Sequence, residues 1–187
     1  MNKAAEFLKR DDCILLLVDV QKTLLDPCVR NETLKRNCQS LIEVAKVFQI
    51  PIVFTTQNAE KLGGFHPELT AMVVNPLILN KVEFSCFENE GIRKAVESLG
   101  RKTILLAGIE SHICIFHTGA NALRLGYRVD LITDAVSSRS EDNRLIGIKR
   151  LEQAGAVMSS TEMVIFELLN RAGTEEFRKL LPLLKTL

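Results

Sequence analysis

The sequence predicts an α/β protein, a three-layer fold with a mainly parallel β-sheet flanked by helices on both faces. Three observations carry that expectation. Short apolar runs of strand length alternate with longer segments of helical period along the whole chain. The run Ile14-Leu15-Leu16-Leu17-Val18 is apolar at every position, as a strand covered on both faces requires. Gly100, Gly126 and Gly155 each close a helical segment just ahead of the next apolar run.

A first strand is expected over residues 14–18, ended by Asp19. Leu34, Leu41, Val44, Ala45 and Phe48 recur at helical spacing and predict a helix over residues 33–48. Pro51 opens a second strand over 52–55. The stretch 56–75, rich in Gly, Pro and Asn, has weak periodicity and reads as one long loop, a length that in a compact domain often serves function. Leu77-Ile78-Leu79 forms a short strand leading into Lys81, and a helix follows over 90–99. The alternation then continues with strands at 103–107, 128–133 and 156–159. Helices are expected at 112–125, 141–154, 162–170 and 175–184. Repeated βα units imply right-handed crossovers and a ligand crevice at the carboxyl ends of the strands.

The chain has 187 residues, enough for a single domain spanning 1–187 with a sizeable core, and 47% of it is apolar. The formal charge of +1, with no long basic run and no Trp, gives no support for nucleic acid or an anionic membrane as partner. Cys13, Cys28, Cys38, Cys86 and Cys114 are odd in number and widely spaced, without a CxxC pair, so neither a structural disulfide nor a zinc site is expected. Free thiols, no signal-peptide core and no run of eighteen apolar residues point to a soluble cytoplasmic protein.

Asp19, Thr56, Lys81, Gly108 and Asp134 all fall at expected strand ends, and three of them carry charge. Six residues beyond Gly108, Cys114 stands at the opening of the expected helix. There the helix dipole and free backbone N–H groups favour a thiolate and can hold an oxyanion. Singly, each residue has a plainer reading: Cys114 as a buried structural thiol, Asp19 as a turn or cap, Lys81 as surface. Together they bring one acid, one base and one nucleophile to the same sheet edge. His117 lies only three residues from Cys114 on the same helix, and His66 and His112 read as surface or polar lining. GxSxG, GxGxxG, P-loop and HExxH patterns are absent.

These residues fall in three ordered motifs: Leu-Leu-Val-Asp19-Val-Gln21, Lys81-Val-Glu-Phe-Ser85-Cys-Phe87, and Gly108-Ile-Glu-Ser-His-Ile-Cys114-Ile, with Asp134-Ala135 following. In this the chain resembles the isochorismatase-like cysteine hydrolases, most closely their isochorismatase domain-containing subgroup, over residues 13–169. The resemblance implies a catalytic triad of Asp19, Lys81 and Cys114. It also implies a cis peptide at Ile109–Glu110 and an oxyanion hole from the Glu110 and Cys114 N–H groups. Gln21, Thr56, Gln57, Phe87, Ser111 and His112 are candidates for lining the pocket. The nicotinamidases of this superfamily carry a metal-binding Asp-x-His, which Thr56-Gln57-Asn58-Ala59-Glu60-Lys61 lacks. Neither metal, nor other cofactor, nor nicotinamide is therefore expected.

The expected activity is hydrolysis of a small amide or ester-like substrate through a thioester. The alternative is a catalytically idle interaction protein that keeps the fold. A homo-oligomer is expected because Met163, Ile165, Phe166, Leu168 and Leu169 crowd one short helix, unless residues 175–184 cover that face. With Lys81 and a helix N-terminus both near, the Cys114 pKa is expected to be lowered.

Overall fold

A computed structural model describes residues 5–187. Six strands form one sheet: β1 (Cys13–Val18), β2 (Ile52–Gln57), β3 (Leu77–Lys81), β4 (Thr103–Ile109), β5 (Arg128–Ser137) and β6 (Val157–Ser159). Every neighbouring pair is parallel, in the order β3-β2-β1-β4-β5-β6. The strand order reverses between β1 and β4, which opens a crevice at their carboxyl ends. Asp19 leaves β1 there, and the segment bearing Cys114 leaves β4 there.

The helices are α1 (Lys22–Leu25), α2 (Asn31–Phe48), α3 (Ala59–Leu62), α4 (Pro67–Thr70), α5 (Glu90–Ser98), α6 (Phe116–Arg124), α7 (Glu141–Gln153), α8 (Thr161–Leu169) and α9 (Glu175–Leu184). Side chains alternate across a strand, so β1 serves two cores. Cys13, Leu15 and Leu17 join Leu34 and Leu41 of α2, Val164 of α8 and Leu180 of α9 on one face. Ile14, Leu16 and Val18 join Ile92 of α5, Ala122 of α6 and Leu151 of α7 on the other. All six β1 residues and all seven of β4 are buried, which accounts for their unbroken apolar runs.

The structure departs from the sequence expectation in four places. β2 continues through Gln57, and the expected loop holds α3 and α4. β5 extends four residues past Thr133, with a register shift against β4 between Leu106 and Gly108. Polar Asp134, Ser137 and Ser138 resembled a strand end, but long-range bonds hold them. Thr161 donates to Asp134 through its N–H at 2.8 Å and its hydroxyl at 3.0 Å, so Asp134 clasps α8 and does not join the crevice. The helix expected from His112 begins as a π-helical turn, Ser111–Ile115, before α6. Finally, α8 turns Ile165, Leu168 and Leu169 into the core alongside Leu180 of α9. Only Met163 and Phe166 of that set stand exposed, so the apolar helix is no argument for an oligomer.

Candidate active site

Four elements build the site. The backbone of Asp19 turns out of β1 in the left-handed region, φ 56°, a conformation aspartate tolerates better than most residues. Its N–H donates to Thr55 O at 3.0 Å. Alongside, β4 passes so close that a Cβ on Gly108 (φ 120°) would sit 2.1 Å from Val18 O, so only glycine fits. The π-helical turn then presents Cys114. Gly147 of α7 packs against that turn, where a Cβ would approach Ser111 C to 2.5 Å. The Ile109–Glu110 peptide bond leading into the turn is cis.

Lys81, the last residue of β3, reaches back over β2. Its Nζ donates to Asp19 Oδ2 at 2.6 Å and to Gln57 Oε1 at 2.7 Å. Both charged side chains are wholly buried, at 0% exposure. Thr55 Oγ1 donates to the other carboxylate oxygen, Asp19 Oδ1, at 2.9 Å. The Cys114 thiol, buried with 6% of the residue exposed, donates to Gln57 Oε1 at 3.9 Å. Asp19, Lys81 and Cys114 thus lie in one cluster, bridged by Gln57.

Electrostatics correct the expected thiolate. Burial first, and then the Asp19 charge, push the Cys114 thiol well above its ordinary value, with Lys81 opposing. The ammonium and the turn do not outweigh a dry site with a carboxylate in it, so the resting group is a thiol. Burial pulls the Lys81 ammonium down, but the Asp19 charge and its hydrogen bond outweigh that and hold it above its ordinary value. The resting arrangement is an ion pair beside a neutral thiol.

The other expected lining residues divide. Gln57 is in the cluster. Thr56 is not: Val53 packs in the core on the α5–α7 face and Phe54 in the opposite one. Alternation therefore puts Thr55 and Gln57 on the Cys114 face and Thr56 on the other, where its hydroxyl donates to Asn80 Oδ1 at 3.1 Å. Gln21 is a strap beneath the end of β2, its side chain bonded to Gln57 N and O and to Gly63 O. Phe87 packs on the Tyr127 ring at 5.3 Å, within the same apolar cluster as Cys114. Ser111 and His112 both bond Ser138 Oγ, at 2.6 and 3.0 Å, and tie the turn to the end of β5. Glu110 accepts from Arg139 N and Nε at 3.0 and 3.1 Å. His117 is exposed and packs against Phe84 and Phe116.

Two site residues escaped the sequence reading, Thr55 and Cys86. Cys86 Sγ lies 3.7 Å from Thr55 Oγ1, and burial and then the Asp19 charge push its thiol up to about 11. Strand alternation from Val53 could have found Thr55, whereas nothing local marks Cys86. Among the described residues, no group of three His, Cys, Asp or Glu side chains is arranged to hold a metal ion. A cavity of about 540 Å³, lined by Lys9, Asp12, Lys102 and Arg128 among others, opens where β4 and β5 begin, at the opposite end of the sheet from Cys114. No helix among the described residues is long and apolar enough to cross a membrane.

Comparison with known proteins places this geometry. The chain is 32% identical over 176 residues to the secreted isochorismatase effector Isc1 of Phytophthora sojae, covering 92% of this chain and 84% of that one. Among solved structures, the MAR1 ribonuclease of Caenorhabditis elegans superposes with a TM-score of 0.90 at 26% identity, over 96% of this chain and 93% of that one. YcaC from Pseudomonas aeruginosa, solved with covalent acrylamide, gives 0.88 at 26% identity, covering 97% of each chain. The Escherichia coli YcaC product, described as an octameric hydrolase of unknown specificity, gives 0.84 at 26%, over 96% and 97% of the two chains. The Isochorismatase domain profile matches residues 13–163, and with that span, this sheet order and these relatives, the chain belongs to the isochorismatase domain family.

Proposed function

We propose that the protein is a cysteine hydrolase acting on a small amide or ester-like substrate, with Asp19, Lys81 and Cys114 as its triad. The observation that carries this is the wholly buried 2.6 Å Asp19–Lys81 pair beside a thiol. A buried ion pair is a poor stabilising device, since apolar residues of similar volume do as well or better. Its presence next to a nucleophile fits chemistry better than architecture, which weighs against an idle interaction protein.

Because the resting group is a thiol, attack and proton transfer go together. Cys114 Sγ bonds to the substrate carbonyl carbon as its proton passes to Asp19. The Glu110 and Cys114 N–H groups receive the oxyanion. Collapse of the tetrahedral adduct breaks the C–N or C–O bond, and Asp19 returns the proton to the leaving group. A water then attacks the thioester carbonyl and gives its proton to Asp19. The acid leaves, and the proton on Asp19 restores the thiol. Lys81 stays charged throughout and steadies the carboxylate and the developing thiolate.

The covalent acrylamide in the Pseudomonas aeruginosa neighbour supports an electrophile-reactive group in this fold. The octamer described for the Escherichia coli neighbour supports a homo-oligomer, which light scattering tests against the 20.9 kDa of one chain. Five free, buried cysteines are in keeping with a reducing, cytoplasmic setting. The deciding experiment is a panel of small amides and esters, with an RNA oligonucleotide included because of the Caenorhabditis elegans neighbour. Wild type and Cys114→Ala are compared, and mass spectrometry follows the acyl adduct. Hydrolysis lost in Cys114→Ala, with an acyl group trapped on Cys114, supports the proposal. Hydrolysis that survives the substitution, or turnover of RNA alone, overturns it.

A further inference from the structure

Gln57 stands at the open side of the charge pair. Asp19, Lys81 and Cys114 are buried, whereas Gln57 is half-buried and so is the most exposed residue of the cluster. Its Oε1 accepts from Lys81 Nζ at 2.7 Å and, by a long contact, from Cys114 Sγ at 3.9 Å, the thiol having Asp19 as its other hydrogen-bond partner. Its Nε2 donates to Val82 O at 2.8 Å. The backbone of Gln57 is held separately, with Gln21 Oε1 accepting from its N–H and Gln21 Nε2 donating to its carbonyl.

A carbonyl oxygen only accepts. It stabilises an S–H and offers nothing to a thiolate, and it occupies one of the three N–H bonds of the ammonium. Asp19 occupies a second. Both contacts of Oε1 therefore favour the resting, protonated nucleophile.

We infer that Gln57 is a positioning residue that latches the resting site, its carboxamide oxygen holding the Cys114 thiol proton and one Lys81 N–H until the acyl group of a substrate displaces it. The inference rests on the triad reading above. Displacement frees the thiol proton to pass to Asp19 and turns a Lys81 N–H toward the sulfur as negative charge develops there. No covalent bond of Gln57 changes. A carboxamide or an ester brings a planar group of the same size as the one displaced. The charged and titratable groups facing Cys114 are Asp19, Lys81 and Cys86. Asp19 and Cys86 raise the thiol pKa and Lys81 lowers it.

The test is the pH midpoint of Cys114 alkylation by iodoacetamide in the full chain, read by peptide mass spectrometry. Gln57→Met keeps the length and removes the acceptor. Its midpoint should fall by about half a unit to one unit, giving about 3- to 10-fold faster labelling below the midpoint. Gln57→Glu keeps the acceptor and adds charge, and its midpoint should rise by about one unit or more. A side chain that merely shapes the strand end would lower the melting temperature of Gln57→Met and leave its midpoint alone. One that merely blocks access would speed labelling at every pH without moving the midpoint. Either result overturns the inference. Should Gln57→Met not fold, an unchanged midpoint in Gln57→Glu overturns it alone. Asp19→Asn run in parallel separates the two readings. If it moves the midpoint and the Gln57 variants do not, the latch fails and the triad stands. If it moves nothing, the triad reading fails.

Discussion

On the proposed triad, replacing Asp19 with Asn should make Cys114 more reactive and hydrolysis slower. The carboxylate is, after burial, the main cause that keeps Cys114 protonated. For unit charges about 5 Å apart at an effective dielectric of about 20, Coulomb's law gives about 3 kcal/mol, or roughly 2 pKa units. Asparagine keeps the shape and removes that charge, so burial is the main cause left to oppose Lys81 at the sulfur. The alkylation midpoint of Cys114 should fall by roughly 2 units. Labelling at neutral pH should quicken accordingly. Hydrolysis should nevertheless drop by about 100- to 10,000-fold, because no base remains to take and return the proton. Breaking one side of a buried pair also costs about 3–5 kcal/mol of stability, so a circular dichroism spectrum must first show a folded variant. The assay is iodoacetamide labelling against pH, with ester or amide hydrolysis measured on the same preparation. A folded Asp19→Asn protein whose midpoint stays put or rises refutes the electrostatic account of the site.

Two further outcomes follow from packing and protonation. Gly147→Ala sets a methyl 2.5 Å from the backbone of Ser111, so it should cost about 1–3 kcal/mol in urea denaturation and slow Cys114 labelling as the turn shifts. Gly64→Ala meets nothing within 4 Å and should leave both unchanged, and equal effects would discount the clash. Burial, with smaller help from nearby carboxylates, pushes Cys13, Cys28 and Cys38 each up to about 12. The native state therefore keeps three protons that the unfolded chain releases from about pH 9. Their stabilising effect is full below that pH and is lost as pH rises toward 12. At about pH 10 each thiol costs about 1.4 kcal/mol, together about 4, a large share of a typical domain's 5–15 kcal/mol. Cys86 and Cys114 are raised as well, so urea melts at rising pH should show a still larger loss, of which Cys38→Ala removes about 1.4 kcal/mol at about pH 10.

Much of this architecture can be read locally and much of the site cannot. The apolar run before Asp19 and the period of α2 each depend on residues within one element, so pattern alone finds them. The strap, the clasp and the sheet end depend on partners far along the chain. Asp134 resembles a strand end until Thr161, twenty-seven residues on, is seen to bond it. Cys86 looks like filler inside Lys81-x-x-x-Ser85, because its neighbour Thr55 lies thirty-one residues earlier. Thr55 is hidden for a different reason. Ending β2 two residues early hid the alternation that puts Thr55 and Gln57 on the nucleophile's side. The protonation of Cys114 is not legible in the sequence, because charge and dipole are visible there, whereas the burial of a site is a property of everything packed around it.

The cation of the pair belongs to the strand with the least cover. β3 lies at the margin of the sheet, with Leu77 and Ile78 in solvent, yet its last residue is wholly enclosed. Fraying of a marginal strand needs far less free energy than melting of a domain. A chain can therefore lose Lys81 from the crevice while β1, β4 and both cores remain intact. Warming would then silence such a molecule before any probe of its bulk registers a change. On the proposed triad, strengthening the hold of these five residues on β2 should raise the temperature at which hydrolysis persists without altering the temperature at which the chain melts.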